Sequence, residues 1–198
     1  MTTTAEKTNI EIVCAGIIVA DVFLPPIDKL PDEGELIKID EPAHHVGGCA
    51  SNTAIALSKL GKKAGIIGMV GSDSIGEQLI ELLINEKIDT KAVTKTKEAS
   101  TSQTIIVPVK NQDRRYIHYF GANSKISVSD IDNGLHGYLY PNQMKIFIFG
   151  GTGDLAARKL LPALYRHHKA GRISNETQIY GIGSRQIDTE QYRTDTKK

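Results

Sequence analysis

Gly47–Gly61 reads GGCASNTAIALSKLG. A glycine pair runs into a stretch where Ala54, Leu57 and Leu60 recur every three residues before Gly61 closes it, the marks of a helix ending in a left-handed cap. Upstream, residues 10–19, IEIVCAGIIV, form a near-continuous β-branched run that predicts one strand buried on both faces, with Asp21 just beyond it. Between them ELIKIDEPAHHV alternates loosely and contains Pro42, which predicts an edge or lid strand.

Downstream, KAGIIGMVG predicts a second buried strand. SDSIGEQLIELLINEKI predicts an amphipathic helix that Ser72 or Asp73 caps. After a polar connection, TSQTIIVPV and RRYIHYFG predict two strands joined hairpin-fashion through KNQD. SVSDIDNGLHGYLYPNQ is rich in turn formers and marks the expected boundary of the chain. Beyond it MKIFIFG is a strand, GDLAARKLLPALYRHHKAG a helix and TQIYGIGSR a strand, together one βαβ unit.

With 198 residues, 40% hydrophobic and 24% charged, the composition is that of an ordinary globular chain of one or two small domains. A net charge of +1, with Lys and Arg scattered, argues against a nucleic-acid or anionic-membrane surface. The start, MTTTAEKTN, has no apolar core of signal-peptide length, so a cytoplasmic protein is expected. Cys14 and Cys49 form neither a disulfide framework nor a CxxC pair and read as reduced thiols. His44-His45 and His167-His168 are neighbours in sequence, which point apart on strand or helix, so no metal site is expected.

Asp21, the GGCASNTAIALSKLG segment, VGSDSIGEQL and YFGAN fall in an order that resembles the amino-terminal part of the PfkB, or ribokinase-like, carbohydrate kinases, over about residues 10–132. That resemblance implies that Asp21, Gly47, Gly48 and Asn52 contact a sugar, and that the family's reaction uses ATP and Mg. The residue chemistry agrees: a carboxylate accepts bonds from adjacent hydroxyls, paired glycines admit a ligand close to the backbone, and an amide both donates and accepts. Read by themselves, the same residues also suit a turn at Asp21, a tight bend at Gly47-Gly48 and a helix cap at Asn52. Phosphoryl transfer needs a base and a cluster of amide donors. In the family these come from an Asp-Thr pair followed by Gly-Ala-Gly-Asp, and residues 133–198 contain no such Asp-Thr pair. Gly151-Thr152-Gly153-Asp154 leaves open a second reading, with Asp154 as a recruited base.

The run FIFGGTGDLAARKLLPALY, Phe147 to Tyr165, with the residues that follow it to about Arg193, resembles the start of glucose-6-phosphate dehydrogenase. The resemblance implies an NADP pyrophosphate cradled by Gly150, Gly151, Thr152 and Gly153, with the Asp154 and Leu155 amides at the helix start. Free N–H groups and the positive end of a helix suit an anion there. It also implies that Arg185 holds the 2′-phosphate and that Lys159 reaches toward substrate. A solvated arginine and a helix-surface lysine are the alternatives.

The expected fold class is α/β: a ribokinase-like sheet fragment with a small β lid, followed by a Rossmann-like βαβ unit, both incomplete. The expected organisation is a disordered 1–9, a sugar-binding region at 10–132, a linker at 133–143 and an NADP-binding start at 144–198. A composite sheet joining the two pieces is left open. Expected partners are a sugar or sugar phosphate, and a second copy or a complementing chain, with no nucleic acid and no membrane. Full activity is not expected of the chain alone; the alternative is a kinase or dehydrogenase activity completed by a partner or by Asp154.

Overall fold

A computed structural model describes residues 10–138, 145–149, 156–173, 175–182, 188–190 and 194. Two sheets carry the fold, one of five strands and one of four.

The larger sheet is parallel. It contains β1 (Ile12–Ala15), β4 (Ala64–Gly71), β5 (Asp89–Thr96), β8 (Lys145–Phe149) and β9 (Gln178–Ile182) in the order β5-β4-β1-β8-β9. Every residue of β1 and β4 is buried, as their unbroken apolar composition demands of central strands covered on both faces. On one face lie α1 (Cys49–Lys59) and α2 (Ser74–Asn85), whose Ala50, Ala54, Leu79 and Leu83 pack on Ile12, Cys14, Ile66 and Val70. On the other lie α3 (Val128–Tyr138) and α4 (Leu161–Lys169), whose Ile131, Leu135, Ala163 and Leu164 pack on Val13, Ile67, Ile146 and Ile148. Helices on both faces of a parallel sheet give the three-layer α/β fold that the sequence predicts.

The smaller sheet contains β2 (Val19–Phe23), β3 (Ala43–Gly47), β6 (Gln103–Val107) and β7 (Arg115–Tyr119), ordered β3-β2-β6-β7. β6 and β7 are antiparallel, as the hairpin reading predicts; of the strand expected over ELIKIDEPAHHV only the part after Pro42 forms, as edge strand β3, and residues 35–42 are not strand.

Four further expectations need correction. Residues 10–19 are not one strand: the run divides at Gly16 into β1 of the large sheet and the start of β2 in the small one, so Asp21 lies inside β2 rather than beyond a strand. The connection stays shut because the buried Asn123 side chain holds both backbone groups of Ile18, donating from Nδ2 to its carbonyl at 2.9 Å and accepting from its N–H at 3.3 Å. The polar connection DTKAVTKT is β5, an edge strand in which Lys91 and Lys95 are exposed while Ala92, on the opposite face, is buried. The turn-rich SVSDIDNGLHGY forms α3, started by Asp130, which accepts from the Ser127 N–H and hydroxyl, and held by Ile131, Leu135 and Tyr138 spaced for one face. In α1 the buried face is Ala50, Ser51 and Ala54, while Leu60 is 77% exposed.

Elsewhere the local signals hold. Asp73 caps α2, accepting from the Gly76 N–H at 2.8 Å. Gly61 ends α1 with φ of 79°, its N–H donating to the Ser58 carbonyl and that of Lys62 to Leu57. The helix predicted at 153–171 appears in its described part as a wide π-helical turn, Ala156–Leu160, running directly into α4, with Pro162 at the junction.

β8 pairs parallel with β1, Ile12 opposite Lys145 and Ala15 opposite Ile148, and β9 extends the sheet beyond β8. The strand that opens the carboxyl-terminal piece thus completes the sheet of the amino-terminal piece.

Candidate functional site

The register of the small sheet creates a row that no local pattern announces. Asp21 on β2 lies opposite His45 on β3 and Thr104 on β6, and Thr104 lies opposite His118 on β7. Directly paired residues share a face, so four polar side chains cross the sheet in line. His44, by contrast, pairs with Val22 and belongs to the other face.

Within the row the hydrogen bonds run toward the carboxylate. Thr104 gives its hydroxyl proton to Asp21, and its oxygen lies 3.0 Å from Nδ1 of His118. A hydroxyl has one proton to give, so the contact with His118 requires Nδ1 to carry the hydrogen. Burial pushes the Asp21 carboxyl above its ordinary range, and Thr104, His118 and His45 act in the opposite direction without cancelling that shift.

Gly47 makes the site possible. A Cβ at this position would fall 1.9 Å from Oδ2 of Asp21, so the backbone of β3 rests against the carboxylate. At Gly48 the chain turns with φ of 95°, and a Cβ there would strike the Ile17 carbonyl at 2.3 Å. Gly48 is the N-cap of α1, and the Asn52 N–H donates to its carbonyl at 2.9 Å. The side chain of Asn52 is exposed one turn into the helix and does not cap it. Asp21, Gly47, Gly48 and Asn52 are therefore joined through one strand end and one helix start.

Sequence reasoning missed Thr104, His45 and His118, whose roles rest on strand register alone. YFGAN was singled out, but not the role of its Asn123, which is 3% exposed and whose N–H donates to Ser102 Oγ at 3.2 Å.

Lys159 sits on the π-helical turn and donates from Nζ to the carbonyl of Ile126, in the segment entering α3. Gly150, Gly151, Thr152, Gly153, Asp154, Leu155 and Arg185 lie outside the described residues. On either side of them, β8 ends at Phe149 and the π-helical turn begins at Ala156. No group of three His, Cys, Asp or Glu among the described residues is placed to hold a metal ion, and no described helix is long and apolar enough to cross a membrane.

Comparison with known proteins separates the two resemblances by extent. The model of the pfkB family carbohydrate kinases matches residues 9–171. The chain belongs to the pfkB family. The model of the glucose-6-phosphate dehydrogenase NAD-binding domain matches residues 147–198, so the two overlap on residues 147–171, from within β8 through α4.

Individual relatives divide in the same way. A 5-dehydro-2-deoxygluconokinase of Mesomycoplasma hyopneumoniae (strain J) is 34% identical over 110 residues, 54% of this chain and 31% of that protein. A glucose-6-phosphate 1-dehydrogenase of Mycolicibacterium smegmatis is 54% identical over 46 residues, 23% of this chain and 9% of that protein. In structure, ribokinase from Giardia lamblia superposes with a TM-score of 0.76 at 18% identity, covering 90% of this chain and 56% of that one. The pfkB-family chain thus shares the ribokinase fold while spanning only part of the length of each of these proteins.

Proposed function

We propose that this pfkB-family chain binds a sugar at the Asp21 row and does not, by these 198 residues alone, carry out phosphoryl transfer. The observation that carries the reading is the Asp21 carboxylate: half-buried, raised in pKa, backed by Thr104 and lying against Gly47, where a Cβ would fall 1.9 Å from Oδ2. Such a group offers two acceptor oxygens to neighbouring hydroxyls, while the Gly47-Gly48 backbone admits the ring and Asn52 supplies a donor and an acceptor at the rim. The residues do not fit an ATP reaction centre, because the Asp-Thr pair that precedes Gly-Ala-Gly-Asp in the family is missing from residues 133–198.

The dehydrogenase-like segment supports a second ligand. Gly150, Gly151, Thr152, Gly153 and the amides of Asp154 and Leu155 would hold a dinucleotide pyrophosphate, and Arg185 the 2′-phosphate that distinguishes NADP. Bound NADP would supply a hydride acceptor, but the histidine base and sugar-phosphate pocket of the dehydrogenase family lie in sequence that follows this region there. The alternative is turnover completed by a partner chain or by Asp154 as a recruited base. The proposed organisation remains a sugar-binding region at 10–132 and an NADP-binding start at 144–198, joined where β8 pairs with β1.

Calorimetric titration of the full chain with a panel of hexoses and pentoses tests the reading, alongside coupled assays with ATP and with NADP. The expected result is saturable binding of at least one sugar, weakened at least about tenfold by Asp21→Ala, with no turnover. Turnover abolished by Asp154→Ala but not by Arg185→Ala would establish the kinase alternative. Loss through Arg185→Ala alone would establish dehydrogenase chemistry.

A further inference from the structure

Away from the Asp21 row, a cavity of about 460 Å³ opens between α3 and the end of α4. Asp132, Asn133 and His136 line it from α3, and Arg166, His167 and Arg172 from α4 and the residues after it. Its charge is uneven among the described lining residues: Asp132 is paired with Arg166 through Oδ2, and Arg172 adds a second guanidinium. The carbonyls of the last turn of α4 do not offset it, because those of Arg166, His167 and His168 accept from the N–H groups of Ala170, Arg172 and Gly171.

His167 is the unusual member. It is 2% exposed, and its Nε2 donates to the Asp132 carbonyl oxygen at 3.1 Å. Burial pushes its imidazole below the ordinary histidine range, and Asp132 only partly opposes this, so at neutral pH the ring is uncharged. With the hydrogen on Nε2, Nδ1 is a bare acceptor, and it has no hydrogen-bond partner. Oδ1 of Asp132 is likewise without a hydrogen bond, although it lies 3.4 Å from Nε2. Two buried, unpartnered acceptors beside a second guanidinium are costly unless something completes them.

The completing ligand must both accept from Arg172 and donate to Nδ1. Carboxylates and sulfate accept only, near neutral pH. A phosphate group with its second pKa near 6 carries anionic oxygens and a transferable proton together. We propose that the α3–α4 cavity is a binding site for a small phosphate-bearing anion, with its oxygens on Arg172 and Arg166 and its P–O–H on Nδ1 of His167.

Histidine-selective NMR on the full chain, titrated with inorganic phosphate at constant ionic strength in a phosphate-free buffer, tests the site. The His167 and His136 signals are expected to shift saturably by roughly 10 mM, where a millimolar site is filled, while those of His44, His45 and His118 stay in place. Arg172→Gln is expected to weaken binding about tenfold and Arg172→Lys to retain part of it. Parallel titrations with sulfate and glucose 6-phosphate separate the chemistry and its source: sulfate is expected to bind more weakly, and tighter binding of the ester would identify a sugar phosphate as the ligand. Uniform drift of all six histidines, unchanged affinity in Arg172→Gln, or sulfate binding as tightly as phosphate would each overturn the proposal.

Discussion

At Asp21 burial and hydrogen bonding pull in opposite directions, and burial prevails. The raised pKa means that the folded chain holds this proton more tightly than the unfolded chain, so the ionised form at neutral pH costs stability, and that cost disappears as pH falls through the raised value. Asp21→Asn is therefore expected to raise the thermal midpoint at pH 7 while weakening sugar binding, a trade between stability and function that paired calorimetry reads directly. The binding itself is expected to decline with acidification at a pH above the usual carboxylate range. Gly47→Ala should weaken sugar affinity at least about tenfold with circular dichroism unchanged, because its methyl group would take the space of Oδ2. Asn123→Ala removes both partners of the Ile18 backbone and is expected to cost about 2–4 kcal/mol in chemical denaturation. Asp21 and Gly47 were legible as candidates from their types and order. The row behind Asp21 was not, since Thr104 and His118 stand far along the chain and nothing near them in sequence marks the pairing.

Among the elements, α2 shows how a local signal can reach beyond its helix. Asp73 caps α2 and also accepts from the Thr101 N–H at 2.7 Å and its hydroxyl at 2.6 Å, tying the helix start to the entry of β6. Burial favours the neutral acid, but these bonds from Thr101 and Gly76 outweigh it and leave the pKa below the ordinary value. With a depressed folded pKa, the contribution is present above the unfolded carboxylate range and lost as pH falls through the folded value. Asp73→Ala is expected to cost about 1–2 kcal/mol at pH 7, a difference that denaturation should find shrinking under strongly acidic conditions. Capping was readable in SDSIG because it spans three residues. β5 was not readable because an edge strand needs no apolar face on its open side, and α3 was hidden by turn formers whose helix is settled by packing of Ile131, Leu135 and Tyr138.

For the whole molecule, the decisive contact is β8 against β1. The two family matches overlap on residues 147–171, so the end of β8 and all of α4 belong to the segment of either family. A parallel sheet accepts either, provided that the strand is apolar and the following helix covers it; Ile146 and Ile148 join Val13 and Ile67 in one core with Leu160 and Leu164. Hydrogen exchange is expected to show the amides of β1, β4 and β8 protected to a common free energy, with β5 and β9 exchanging faster at the edges. Independent protection of β8 would show that the two pieces are separate units. The thiols report the same core: Cys49 is exposed, whereas burial pushes the Cys14 thiol up to about 12. A thiol reagent should modify Cys49 at once and Cys14 only at the rate of unfolding.

The residues alone determined the alternation of strand and helix, the helix caps, the glycine turns and the likeness to two carbohydrate enzymes, because each depends on groups a few positions apart. Tertiary structure alone decided that Ile10–Val19 divides between two sheets, that Thr104 and His118 stand behind Asp21, and that the two likenesses share one sheet. Those outcomes depend on pairing and burial between segments tens of residues apart, where side-chain chemistry permits many partners and only simultaneous packing of both faces selects one.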